Sequence, residues 1–324
     1  MDGSYQDQSL RLGASLQQVL QDHSRFASRI REVAHSVESE NSNLTLRLHY
    51  PSFRNGKPTI AELAEVLSYM VTHFCIPRSQ LASLSSPDFD ADHRLIESNR
   101  LYRKAIQLFK KAQKLSNRNG EAGELLLFVL TEWILKAPQI LAKMSLKTNP
   151  NMPVHGADGI HVRYCSISGS LKFYWGESKL YSDLGSGVSS AVRSVCEALA
   201  DDALSHELEL VKNNIALTGL DDLARVELLK YLDPFDESYN SRQDVVTCLI
   251  GFDFSKYAEL TGSHDVEEKF KFLAEEKLKE VEPQLSRSFS RNELLHTEIQ
   301  LFLLPLPSVQ ELRDKFQDVI GWEE

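Results

Sequence analysis

Two short apolar runs, VVTCLIGFDF at 245–254 and EIQLFLLPLP at 298–307, constrain the fold of this chain more than any other feature. Both are too short for an ordinary buried helix, and the first is rich in β-branched side chains, so each reads as a buried strand. Between them, residues 264–282 have the pattern of a charged amphipathic helix. Strands of this kind must be covered by other elements, which predicts a mixed α/β fold with a central sheet flanked by helices.

Further strands are expected upstream. NLTLRLHY at 43–50 alternates Leu44, Leu46 and Leu48 with Thr45, Arg47 and His49. HGADGIHVRYCSISGSLKFYWGESKLY at 155–181 reads as two strands joined by the SISGS turn. Helices are predicted over 9–40, from an N-cap at Thr59 to about 74, over 94–117, and over 121–144 with a kink or break at Pro138. Two more follow, one over 188–217 opening on GSGVSS and one capped by Ser308 and running to about 320. The Ser-, Pro- and Asp-rich stretch 77–92 reads as a loop. The 324 residues admit one large domain or two. The division expected is a mostly helical N-terminal region, 1–119, and an α/β domain, 120–324, with its motifs in 120–181 and later elements in 188–320.

Several classes are excluded. Cys75, Cys165, Cys196 and Cys248 are far apart and form no CxxC pair, which suits a reducing compartment better than a disulfide framework or zinc site. The opening residues lack the basic and apolar regions of a signal peptide, and no apolar stretch is long enough to span a bilayer. A cytoplasmic protein is expected. GSGVSS has no following GK[ST] and is not a phosphate loop.

A net charge of −10 counts against a nucleic-acid partner. The charge is segregated, however. Between residues 98 and 120 there are seven basic residues and no acidic one. On a helix, Arg100, Arg103, Lys104, Lys110, Lys111, Lys114 and Arg118 share one arc opposite Leu101, Ala105 and Phe109. That face is either solvated or meets DNA phosphates or an acidic partner.

The chemistry concentrates around the hairpin. Asp158 is flanked by Gly156 and Gly159, and Glu177 and Lys179 lie two apart on the following strand, so they share a face with Phe173 and Trp175. Glu124 lies on the first turn of the helix upstream. Two carboxylates on adjacent strands suit a hard cation such as Mg²⁺, which takes oxygen ligands and keeps several waters. Lys179 beside it can orient a water or offset charge on a phosphate. The Glu-x-Lys spacing recurs at Glu267/Lys269 and Glu275/Lys277, but there in a charged helix where solvated charge is expected. His155 and His161 read as hydrogen-bonding residues rather than ligands, and Phe173, Tyr174 and Trp175 as packing residues. The plain reading of Asp158, Glu177 and Lys179 is a surface ion-pair cluster beside a turn.

GEAGELLLFVL, HGADGIHV and GESKLY together resemble the PD-(D/E)xK nuclease superfamily. With the TCLIGFDF strand, the run 121–181 more closely resembles HamA, the nuclease effector family of the Hachiman anti-phage defence system. The resemblance implies a restriction-endonuclease-like core and Mg²⁺-dependent DNA cleavage, with Mn²⁺ able to substitute and no small-molecule cofactor. It implies Asp158, Glu177 and Glu124 as metal ligands and Lys179 as a catalytic residue, with Glu121 the alternative helix carboxylate. The superfamily's literal Pro-Asp is absent, Ala157 preceding Asp158. It also implies a HamB-like helicase partner that restrains the nuclease and delivers it to DNA, with no membrane role. The rivals are a non-catalytic subunit that keeps the nuclease fold to regulate a helicase, and a phosphodiesterase of small nucleotides.

Overall fold

The computed structural model describes residues 3–33, 37–38, 43–116, 120–146, 156–260, 265–290 and 294–321. Helix α1 (Gly3–Val19) precedes three strands, β1 (Ile30–Glu32), β2 (Val37–Glu38) and β3 (Leu44–Pro51). Helices α2 (Ile60–Ser68), α3 (Ala91–Ser116) and α4 (Glu121–Leu135) follow. Then come β4 (Gln139–Leu141), β5 (Gly159–Cys165), β6 (Ser170–Tyr181), α5 (Leu184–Leu199), α6 (Asp201–Asn213) and α7 (Asp222–Lys230). The chain closes with β7 (Arg242–Asp253), α8 (Val266–Phe289), β8 (Glu298–Leu306) and α9 (Val309–Val319).

The strands form one mixed sheet in the order β1–β3–β8–β7–β6–β5–β4, with β2 pairing on the same edge of β3 as β1. The central four, β3, β8, β7 and β6, are parallel; β1, β2 and β5 run antiparallel to them, and β4, antiparallel to β5, returns to their direction. Parallel neighbours need a crossover, and the charged helix α8 makes the one between β7 and β8. The two apolar runs that constrain the sequence therefore lie side by side at the centre, Val245 opposite Glu298 and Asp253 opposite Leu306. Strand β3 joins β8 directly, so the first 119 residues contribute strands to the same sheet as the rest.

Each face of the sheet has its own cover. On one, α2, α3, α4 and α9 bury Tyr174, Leu180, Val245, Leu249, Phe302 and Leu304. On the other, α5 and α8 cover Val246, Cys248, Ile250, Leu301 and Leu303, while α1, α6 and α7 cover Ile160, Val162, Phe173 and Trp175. Among the described residues no helix is long and apolar enough to cross a membrane.

Several sequence expectations need correction. The helix over 9–40 ends at Val19, and Ile30 and Val33 serve the sheet instead, since Ile30 pairs with Pro51 on β3. Thr59 stands where the cap of α2 belongs, but its hydroxyl donates to the Ser52 carbonyl at 3.0 Å rather than capping. Residues 77–92 are not simply a loop, because Arg78–Ala82 forms a helical turn and α3 begins at Ala91. Of the two outcomes expected at Pro138, the break is the one observed: the helix from 121 ends at Leu135 and β4 follows in place of its last turns. The helix over 188–217 begins at Leu184, capped by the Asp183 carboxylate accepting from Ser186 N, and divides at Ala200, which leaves helical geometry (ψ 139°). Helix α8 continues through Pro283 to Phe289 rather than stopping at 282. Pro283 is exposed, so water can serve the carbonyl that loses its helical donor.

Candidate active site

Asp158 lies within electrostatic reach of the Glu177–Lys179 pair where the β5–β6 ladder ends. Gly159 pairs with Gly176, and a side chain on Gly176 would come within 3.3 Å of the Gly159 backbone. The two glycines thus let the strands approach at their last pair. One residue further on, Asp158 N donates to Gly176 O at 2.7 Å. The next amide of β6, Ser178 N, has lost its ladder partner, and the Asp158 carboxylate takes that place. Its Oδ2 accepts from Ser178 N at 2.8 Å and from Ser178 Oγ at 3.1 Å. A backbone donor that burial would leave unpaired therefore fixes the aspartate's position.

Glu177 and Lys179 project from the opposite face of β6 to Ser178, as strand alternation requires, and their side chains form an ion pair. Glu177 is only 6% exposed. It lies against α5, where Ser194 also hydrogen-bonds to it, and Val195, Ala198 and Leu199 close over a gap of about 10 Å³, room for roughly one water. Burial, reinforced by the nearby Asp158 carboxylate, pushes the Glu177 pKa up to about 7 against the opposing pull of Lys179. Burial disfavours the Lys179 ammonium, but Glu177 outweighs it and the lysine's pKa rises. Both shifts have the same meaning: excess negative charge is held in a poorly solvated place, where a cation would be stabilised. Cys248, in register with Glu177 on β7, is fully buried; burial and then the Glu177 charge raise its thiol pKa far above the ordinary value.

The helix carboxylates stand elsewhere. A side chain on Gly123 would touch Leu180 and Ser178 Oγ, so the start of α4 lies over the face of β6 opposite Glu177 and Lys179. Glu124 is half-buried there, and Glu121 is buried within the electrostatic reach of Arg313, which donates to Leu180 O at 2.8 Å. Asp158 thus lies at the strand edge, bonded to Ser178 on the α4 side yet within electrostatic reach of Glu177 and Lys179, whereas Glu124 and Glu121 stand across β6 from that pair. Among the described residues no group of three or more His, Cys, Asp and Glu side chains is arranged to hold a metal ion. Two carboxylates with water completing the shell suit Mg²⁺ rather than a cation that demands an all-protein cage.

His161 points to the α4 face, donates from Nδ1 to the Ala137 carbonyl (2.9 Å), and is held at a pKa of about 4 chiefly by burial. His155 lies outside the described residues. Phe173, Tyr174 and Trp175 are buried in the core, as expected of packing residues. On α3, Arg100 pairs with Glu97 one turn back, Lys104 Nζ donates to Gln80 Oε1 at 3.2 Å, and Arg103 and Lys111 are exposed. Lys114 belongs to the same helix, and Arg118 lies outside the described residues. The basic helix packs on the α4 side of the sheet, away from the face that carries Glu177.

Sequence reading missed Ser178, Ser194 and Cys248. Ser178 was accessible in principle, as the residue between Glu177 and Lys179; the other two reach the site only through tertiary pairing.

The family model named HamA matches residues 27–320. No curated protein matches the chain.

Proposed function

The chain belongs to the HamA family, a component of the Hachiman anti-phage defence system, and from that premise we propose that it is a Mg²⁺-dependent DNA nuclease. The observation that carries this reading is the placing of Asp158 within electrostatic reach of the buried Glu177–Lys179 pair at the end of the β5–β6 ladder, where burial and Asp158 push the Glu177 pKa up to about 7. Two carboxylates facing a single ammonium leave surplus negative charge in a buried place, and a functional site is one reason for such an arrangement.

In this reading Asp158 and Glu177 would hold the metal, with Glu124 or Glu121 on the α4 side as the further carboxylate. A Mg²⁺ held there would supply polarisation of the scissile phosphate and activation of the attacking water. Asp158 is oriented by Ser178, Glu177 by Ser194 and Lys179. Lys179 keeps its proton at neutral pH, so it acts as a cation that steadies charge on the phosphate rather than as a base. Because α5 closes over Glu177, DNA reaches the carboxylate only after α5 shifts. A partner that controls this shift controls cleavage, and a helicase subunit of the same system fits that role. The exposed basic face of α3, lying on the other side of the sheet, fits contact with the partner or with DNA held by it.

The rival, a non-catalytic subunit with the same fold, draws on the lack of a three-ligand group among the described residues. Calorimetry with Mn²⁺ separates the two. A nuclease binds the ion through Asp158 and loses that binding in Asp158→Ala, whereas a scaffold gives the same weak heats with and without the aspartate.

A further inference from the structure

We propose that Lys143 and Glu207, a buried ion pair outside the motif, are positioning residues that fix the backbone carrying Asp158 and so its place relative to Glu177. This rests on the nuclease reading above. Lys143 follows β4 and Glu207 lies in the middle of α6, with side chains 6% and 1% exposed and Nζ 2.6 Å from Oε1. The Lys143 ammonium also donates to Ala157 O at 2.6 Å, the carbonyl immediately before Asp158. Gly156 has φ +111°, and any side chain on it would overlap Glu207 Oε1, so the carboxylate lies directly against the turn that delivers the aspartate. On the far side, Asp158 N is held by Gly176 O. Residues 156–158 are therefore clamped from both ends.

Stability does not explain the pair. Taking two charges out of water is costly, and apolar replacements for such pairs are often neutral or stabilising. What the pair supplies is a fixed backbone position. Helix α6 follows α5 directly through Ala200, and α5 carries Ser194, which hydrogen-bonds to Glu177. One helical unit thus reaches both carboxylates: α5 through Ser194 to Glu177, α6 through Glu207, Lys143 and the Ala157 carbonyl to Asp158. The separation of the two carboxylates follows from how α5 and α6 sit on the sheet.

The test uses the full chain with Lys143→Met, Glu207→Gln and the double variant Lys143→Met/Glu207→Gln. The double variant leaves no unpaired buried charge, so it folds even where a single substitution does not. Mn²⁺ affinity by calorimetry is expected to fall about 10–100-fold, as for other residues that orient metal ligands. Amide exchange at residues 157–159 is expected to accelerate while the thermal midpoint of the double variant stays near the parent's. In plasmid cleavage, the metal concentration for half-maximal rate rises by the same factor, and the rate at saturating metal recovers to within a few-fold of the parent's. A general packing role would move the midpoint without this split. Asp158→Ala is measured alongside. Metal affinity lost in Asp158→Ala but unchanged in the folded double variant overturns the positioning role alone. Affinity unchanged in Asp158→Ala overturns the nuclease reading, and the positioning role with it.

Discussion

Glu177→Gln isolates the charge that the site is built to hold. Burial and Asp158 raise the Glu177 pKa from 4.5 to about 7. In the unfolded chain the carboxyl ionises near its ordinary value, so between these two pH values the native state keeps a proton that the unfolded state has released. The stability contributed by this group is full below pH 4.5 and is lost as pH rises through 7. The interval corresponds to about 3 kcal/mol, at about 1.4 kcal/mol per pH unit. A glutamine cannot ionise, so the variant lacks this loss. Lys179 loses its partner in the variant; its pKa lies above the ordinary lysine value in the parent, and the Asp158 charge still favours its ammonium form in the variant. That cost is a constant offset, and the slope is the readout. Urea unfolding of the metal-free chain at pH 5, 6, 7 and 8 is expected to show the variant gaining on the parent by about 2–3 kcal/mol across the range. Parallel profiles for the two proteins would refute the argument that the site stores unbalanced negative charge.

Other consequences concern different parts of the molecule. Glu132, fully buried, bonds Arg78 and also His23 at 2.8 Å; Arg78→Met leaves that carboxylate short of its main partner and is expected to cost about 3–5 kcal/mol in thermal or urea unfolding. Burial alone would raise the Glu132 pKa, but Arg78 and His23 bring it down to about 2, so the parent loses stability as pH falls from 4.5 towards 2, and the variant's profile over that range is expected to be flatter. Gly176→Ala forces a methyl against the Gly159 backbone and is expected to weaken Mn²⁺ binding about 10-fold by calorimetry; parent-like affinity would mean the close strand approach is unrelated to the aspartate. Arg103→Ala with Lys111→Ala is expected to leave metal affinity unchanged while lowering the salt dependence of DNA binding by about one for each phosphate no longer neutralised; an unchanged salt slope assigns that face to a protein partner.

Legibility in the sequence followed how local each signal is. The strands at 245–254 and 298–307, and the Ser308 cap that accepts from Glu311 N at 3.2 Å, rest on neighbouring residues alone, and the structure places the strands close to those bounds. Ile30 and Val33 fit a helical spacing as well as a strand, and only pairing with β3 decides between them. Helix α7 has weak amphipathic character and escaped notice. Asp158, Glu177 and Lys179 were readable because a hairpin turn and a period of two fix their relation. Glu124 was placed by the order of elements, which does not say on which face of the sheet a helix lies. Lys143 and Glu207 were invisible, being 64 residues apart and joined only by packing.

Cleavage itself tests the central claim most directly. Supercoiled plasmid is incubated with the purified chain in Mg²⁺ or in EDTA, alone and with the proposed helicase partner present, and nicked product is followed over time. The account predicts Mg²⁺-dependent nicking by the parent that disappears in folded Glu177→Ala and Lys179→Ala. Equal nicking by the parent and both variants would contradict it.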